Sequence, residues 1–175
     1  SYNVLAAVNA NIRTVDLELT DNRILSVGPE RAVIFDIASK ATVPFGRVES
    51  CKFAGFDSQN KSMVSVHVDG SAWIWDTSQG LVNQSPLPLS RKNGKHLSAQ
   101  LSPDGTQLLS ISQKPNEAAK LLLWSRDQQQ VKEVAANVTA AVWSSDGRAI
   151  VVANANNGMQ MINAATLEVA ATPTT

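Results

Sequence analysis

The sequence is poor in the side chains on which most metal sites and many active sites depend. It has one cysteine, Cys51, so neither an intrachain disulfide nor a multi-cysteine metal site can form within it. Its two histidines, His67 and His96, show no H-x-H or H-E-x-x-H spacing. We therefore expect no catalytic residue, no bound metal and no cofactor, and a protein that is not an enzyme.

An excess of positive or negative charge is also lacking. Lys plus Arg number 15 and Asp plus Glu number 15, which gives a net charge of zero. Nucleic acids and anionic membranes are bound through clustered positive charge, so we expect neither as a partner. The strongest cationic cluster, Arg91-Lys92 with Lys95, is interpreted as a solvated loop rather than a phosphate-binding patch.

Long apolar runs are absent as well. No uninterrupted run approaches the roughly 20 residues that span a bilayer, and the first residues show no secretory signal. The hydrophobic share of 43% is typical of a soluble globular protein. We expect a cytoplasmic protein.

What the sequence does contain is an internal repeat. Four short apolar runs each end in an aromatic or aliphatic residue followed by a polar one. They are A-V-I-F-D, A-W-I-W-D, L-L-L-W-S and M-Q-M-I-N, and they end at Asp36, Asp76, Ser125 and Asn163, at intervals of 40, 49 and 38 residues. Propeller blades of four short strands take about 40–45 residues each. An insertion at 113–119 and a long stretch at 81–95 account for the longest interval.

A turn signal and a compact apolar strand precede each of these runs. The turn signals are T-D-N-R, D-S-Q-N, S-P-D-G and S-D-G-R, whose Pro, Asp, Asn and Gly residues favour turn geometry. No long window repeats apolar residues at helical spacing. The predicted fold is an all-β propeller of four-stranded antiparallel blades. The four blades are expected at about 9–45, 46–87, 96–134 and 136–171, after a leading strand at 1–8.

The second repeat carries a family resemblance. Residues 62–76, S-M-V-S-V-H-V-D-G-S-A-W-I-W-D, resemble the S-x-D-G-x-x-x-x-W-D pattern of WD repeats, and the third and fourth repeats add the similar L-S-P-D-G-T-Q-L-L-S-I-S and V-W-S-S-D-G-R-A-I-V-V-A. The Gly-His pair that opens a typical WD repeat is missing, so the resemblance is to a divergent member with a partial Asp-His-Ser-Trp network. The resemblance implies structural roles for Ser65, Asp69, Trp75, Asp76 and Trp124.

The number of repeats predicts an incomplete ring. Propellers of this family generally have about six to eight blades, and a closed ring removes exposed strand edges. We therefore expect the four blades to be part of a larger propeller. A self-sufficient ring of four blades and an eight-bladed ring closed by two copies are the alternatives.

The resemblance also implies that a protein or peptide docks on the loops at one end of the propeller. Arginine and aromatic side chains dominate binding energy, and binding residues concentrate on loops. The candidate contacts are Arg31, Arg47, Trp73, Lys95 and His96. An ordinary surface role is the alternative for each of them, and for Trp73, which faces the same way as Trp75 along its strand, packing between blades is another.

These observations predict a protein-interaction scaffold. The regulatory or sensor part of a larger multidomain protein is one form that this role can take. The alternative is a segment of the substrate channel of a propeller-fold enzyme. A small-molecule ligand is not expected.

Overall fold

The computed structural model describes residues 14–17, 23–27, 32–45, 51–58, 61–77, 87–127, 130–155 and 158–171. The predicted leading strand at 1–8 lies outside them. The described residues form strands and one 3-10 helix, Arg91–Asn93. The strands are β1 (Thr14–Leu17), β2 (Arg23–Val27), β3 (Ala32–Asp36), β4 (Thr42–Phe45), β5 (Cys51–Phe56), β6 (Ser62–His67), β7 (Ala72–Asp76), β8 (Leu87–Pro88), β9 (Lys95–Leu101), β10 (Gln107–Gln113), β11 (Lys120–Ser125), β12 (Val131–Ala136), β13 (Val138–Trp143), β14 (Ala149–Asn154), β15 (Gly158–Asn163) and β16 (Val169–Ala171).

The strands form four antiparallel sheets of four strands each, and neighbours in sequence are neighbours in each sheet. The sheets are β1–β4, β5–β8, β9–β12 and β13–β16. Sheets with this order and length are the blades of a partial propeller, so the predicted fold is confirmed. The insertion predicted at 113–119 is the hairpin loop between β10 and β11.

Successive sheets pack face to face. Strand β2 contacts β5, β6 contacts β9, and β10 contacts β13, with an apolar cluster between each pair of sheets. All six residues of β6 are buried. Because successive side chains of a strand point to opposite faces, the second sheet is covered on both sides.

Among the described residues, the fourth sheet has a neighbouring sheet on one face. Ile150, Val152 and Ile162 are buried against the third sheet. On the opposite face Val142 pairs with Val151, and Val151 pairs with Met161, which makes an apolar row across three strands. We call Val142, Val151, Met161 and their neighbour Met159 the bare face. Within the described residues, none of the strong strand contacts joins this sheet to the first.

Each of the last three inner strands, β5, β9 and β13, has a bulge near its start. In β9, His96 pairs with Ser112 and Ser98 with Ile111, so that Leu97 is the extra residue. The extra residues in β5 and β13 are Lys52 and Thr139. All three extra side chains are exposed, while the residue before each is buried. The repeated bulge thus turns one side chain outward and its predecessor into the blade.

Truncation of side chains on the two faces of the fourth sheet should lower the free energy of unfolding by different amounts. Ile162→Ala removes a side chain that is 1% exposed, and we expect it to lower the free energy of unfolding by about 2–5 kcal/mol. Its neighbour Met161 is 39% exposed, so Met161→Ala should cost less than about 1 kcal/mol. Urea unfolding of both variants checks this, and equal losses would mean that the bare face is covered in solution.

Candidate functional site

The two ends of the blades differ in what they carry. One end, which we call the loop end, carries the β6–β7 turn at 68–70, the segment 90–95 that leads into β9, and the β10–β11 hairpin loop at 114–119. The other, the turn end, carries the connection between β5 and β6 and the turns at 102–106 and 144–148. Partner docking was predicted at the loop end.

The loop end is held together by close contacts between the second and third sheets. The His96 backbone N–H donates to the carbonyl of Gly70 at 3.0 Å. Arg91 Nη2 donates to the carbonyl oxygen of Asp69 at 2.9 Å. Gly94 has φ 109° and ψ −168°, a region open essentially only to glycine, and a Cβ there would lie 2.3 Å from the Gln113 carbonyl oxygen. The three segments are therefore fixed relative to one another.

Two of these segments, 90–95 and 114–119, border a groove of about 430 Å³, which we call the cationic groove. Among the described residues no acidic side chain lines it, and its walls include the exposed apolar residue Leu97, which the β9 bulge turns outward. Its lining residues are Arg91, Gly94, Lys95, Leu97, Gln113, Lys114, Pro115 and Asn116. Of the predicted contact residues, the structure places Lys95 here.

Asp69 stabilises the β6–β7 turn from its exposed side. Its carboxylate accepts hydrogen bonds from the Ser71 N–H at 2.9 Å and the Ser71 hydroxyl at 2.7 Å, and these bonds lower the pKa of Asp69. Arg91 Nη1 lies 3.9 Å from its Oδ2. In this exposed position the side chain caps the turn and fixes Arg91.

The second sheet contains a buried chain of hydrogen-bonding side chains. The indole N–H of Trp75 donates to the Ser65 hydroxyl at 2.8 Å, and Ser65 Oγ lies 3.0 Å from His67 Nε2. All three residues are buried. The sequence singled out Ser65, Asp69 and Trp75 as the remains of a network. In the structure Ser65 and Trp75 are joined by His67, whereas Asp69 bonds to Ser71 in the exposed turn.

The third sheet repeats this arrangement with the histidine on a different strand. Trp124 Nε1 donates to Ser110 Oγ at 2.8 Å, and Ser110 Oγ lies 3.4 Å from Ser112 Oγ. Ser112 Oγ lies 2.9 Å from His96 Nδ1. The spacing Ser110-x-Ser112 before Trp124 repeats Ser65-x-His67 before Trp75, and that repetition was the available sequence signal.

His96 therefore has a different place from the one expected of a partner contact. Its side chain is 2% exposed and its ring is tilted by 59° against the Trp124 ring at 5.9 Å. Burial lowers its pKa, an effect that the Ser90 backbone partly opposes. Because the β9 bulge turns this side chain into the blade, we do not propose it as a direct contact.

The other predicted site residues are dispersed. Trp73 is half-buried against the cluster between the first and second sheets, and its indole N–H donates to the Ser71 hydroxyl at 3.2 Å. Asp76 is exposed at the end of β7. Arg31 and Arg47 lie outside the described residues.

The turn end is built from repeated serine–aspartate turns. Ser102 Oγ donates to Asp104 Oδ1 at 2.6 Å, and Ser144 Oγ donates to Asp146 Oδ1 at the same distance. These hydrogen bonds lower the pKa values of both carboxyl groups. Turn geometry thus accounts for these acidic residues, as their sequence context predicts.

Comparison with solved structures gives the same architecture. The chain is similar to the β-propeller domain of Cps50 (Swd1) from Myceliophteria thermophila, with a TM-score of 0.68 and 12% sequence identity. The match covers 93% of this chain and 57% of that one, and at this identity it shows the fold alone. No protein-family model and no curated protein matches the chain.

The described residues contain neither a membrane-spanning helix nor a cluster of side chains suited to a metal ion. No helix among them is long and apolar enough to cross a membrane. No group of three or more His, Cys, Asp and Glu side chains within the described ranges is arranged to hold a metal ion.

The buried chain in the third sheet predicts a coupled loss of stability. Ser110→Ala leaves the Trp124 indole N–H without its acceptor, so we expect a loss of about 1–3 kcal/mol in the free energy of unfolding. In a Trp124→Phe background, which has no indole N–H, the same substitution should cost about 1 kcal/mol less. Denaturant unfolding of the four proteins in this cycle measures the coupling, and strictly additive losses would contradict it.

The buried His96 predicts a pH dependence of stability. Its pKa is lowered in the folded state below its usual value of 6.5, so the unfolded chain binds the proton more readily. The contribution of His96 to the free energy of unfolding is therefore fully present above about pH 6.5. It decreases as the pH falls below that value, by at most about 1.4 kcal/mol per pH unit. Unfolding of wild type and His96→Asn across this range checks the sign, because the variant should show the shallower decrease. A parallel decrease in both proteins would contradict the assignment.

Proposed function

We propose that this chain is part of a divergent WD-repeat-like propeller that acts as a protein-interaction scaffold and docks its partner at the loop end. The observation that carries the proposal is the cationic groove, which the segment leading into β9 and the β10–β11 loop form together. The β6–β7 turn of the second sheet contacts two of its lining residues, Arg91 and Lys95, so their positions depend on the packing of both sheets.

The fixed geometry of the loop end supports this role. Contacts at Gly70, Arg91 and Gly94 hold the backbone around the groove before any partner arrives. Binding to a surface that is already ordered avoids part of the conformational entropy cost of association. Val68, 65% exposed on the adjacent turn, adds an apolar side chain beside the groove.

The bare face supports the proposal of a larger ring. It is apolar across three paired strands and is the counterpart of faces that neighbouring blades cover elsewhere in the chain. A further blade placed against Met161 and Val142 would bury it. The similar propeller domain is also longer, since the chain spans 57% of it.

The alternative of an enzyme channel has no specific support among the described residues. His67 and His96 are both buried inside blades and lie beside serine hydroxyls. The Asp104 and Asp146 carboxylates are occupied in turns at the opposite end from the groove. Asp104 and Asp146 both line a cleft at the turn end, but each carboxylate accepts hydrogen bonds within its own turn.

Site-specific crosslinking tests the docking end. A benzophenone amino acid is placed at Val68 or Lys92 on the loop end, and at the exposed Lys61 or Ser145 on the turn end as matched controls. In extracts we expect discrete protein adducts from the loop-end positions and few from the controls. Adducts confined to the turn end, or equal at both ends, would overturn the proposal.

A further inference from the structure

Two of the three cations on the walls of the cationic groove have no carboxylate partner within the described part of the chain. Arg91 is close to a carboxylate, that of Asp69. For Lys95 and Lys114, no carboxylate lies within ion-pair distance among the described residues, and both side chains are exposed. Lys114 and Lys95 come from opposite ends of the β9–β10 hairpin sequence, so folding brings together a charge density that no single stretch of sequence has.

The backbone positions these cations with little freedom. The first carbons of the Lys95 side chain pass over Gly70, where an added Cβ would lie 2.5 Å from Lys95 Cβ. Gly94 packs on the backbone of Gln113 and Lys114, where its missing Cβ leaves the room for that approach. The two lysines are thereby carried on segments that are in contact.

The groove also has apolar walls. Leu97 is 37% exposed because the β9 bulge turns it away from the core, and Pro115 is a second apolar residue of the groove lining. A ligand that satisfies both features carries several negative charges and at least one apolar group. Exposed ion pairs contribute roughly 0–1 kcal/mol each, so a single small anion would gain little here.

We propose that the cationic groove binds an acidic peptide segment of a partner protein, with carboxylates against Arg91, Lys95 and Lys114 and an apolar side chain against Leu97. This rests on the proposed scaffold function and specifies the chemistry of its partner. Single-stranded nucleic acid is disfavoured, because none of the described residues that line the groove is an aromatic on which a base could stack. Anionic membranes are recognised by larger cationic clusters of about four to eight residues.

The test compares two charge reversals of equal size. Lys95→Glu with Lys114→Glu alters the groove, whereas Lys61→Glu with Lys132→Glu alters exposed lysines on the turn end and on β12. The probe is a short labelled peptide of alternating glutamate and leucine, and the reference is its glutamine counterpart. Affinities are measured by fluorescence anisotropy at low and high salt.

We expect the acidic peptide to bind wild type in a salt-sensitive manner and the glutamine peptide to bind at least about tenfold more weakly. The groove reversal should weaken the acidic peptide by about tenfold or more, and the control reversal by less than about twofold. The neutral pair Lys95→Gln with Lys114→Gln should fall between wild type and the reversal. Equal binding of the two peptides, or equal effects of the two reversals, would overturn the proposal.

Competition identifies the source of the negative charge. Inorganic phosphate, a single-stranded oligonucleotide and phosphatidylserine vesicles are added to the bound peptide. Displacement by any of them at a lower concentration than by unlabelled acidic peptide would also overturn the proposal. Loop-end crosslinks that persist in the groove reversal would refute the acidic groove and leave the scaffold intact. Peptide binding without loop-end crosslinks would refute the scaffold and leave the acidic groove intact.

Discussion

Packing of the second and third sheets between two neighbours limits which side chains can occupy their strands. Burial of apolar surface contributes about 25 cal/mol per Å², and β6, which is covered on both faces, buries Met63, Val64 and Val66 together with three polar residues. A buried polar side chain gains from a partner inside its own blade, because an unpaired group is costly. Ser65 and Ser110 meet this condition through the indole N–H groups of Trp75 and Trp124.

In the fourth blade, both partners of this buried hydrogen bond are absent. The register places Val152 where the third sheet has Ser110, and Ile162 where it has Trp124. Serine and indole are thus replaced together by two aliphatic residues, and the site stays fully buried. At these positions a serine without the tryptophan would have no indole N–H donor, and a tryptophan without the serine would have no hydroxyl acceptor. The paired replacement explains how the repeat diverges in sequence while the blade keeps its geometry.

The blades could be predicted from the sequence because turn residues such as Asp104 and Asp146 recur at nearly constant spacing, and turn chemistry is local. The place of His96 could not, since it depends on a bulge that breaks the alternation of β9 and is set by pairing with β10. The groove was missed for a related reason. Lys114 joins Lys95 only after the β9–β10 hairpin has formed, whereas the sequence shows only the local cluster of Arg91, Lys92 and Lys95.

The zero net charge of the chain does not describe the local charge at the cationic groove. Arg91, Lys95 and Lys114 line the groove, whereas Asp104 and Asp146 stand at the turn end. A seven-residue strand such as β10 spans roughly 23 Å at about 3.3 Å per residue. At physiological salt the Debye length is about 8 Å, so the carboxylates at one end scarcely reduce the potential at the other. Net charge argues against partners that cover the whole surface, such as a membrane. It does not argue against an acidic ligand that contacts only the groove, because such a ligand experiences the local charge.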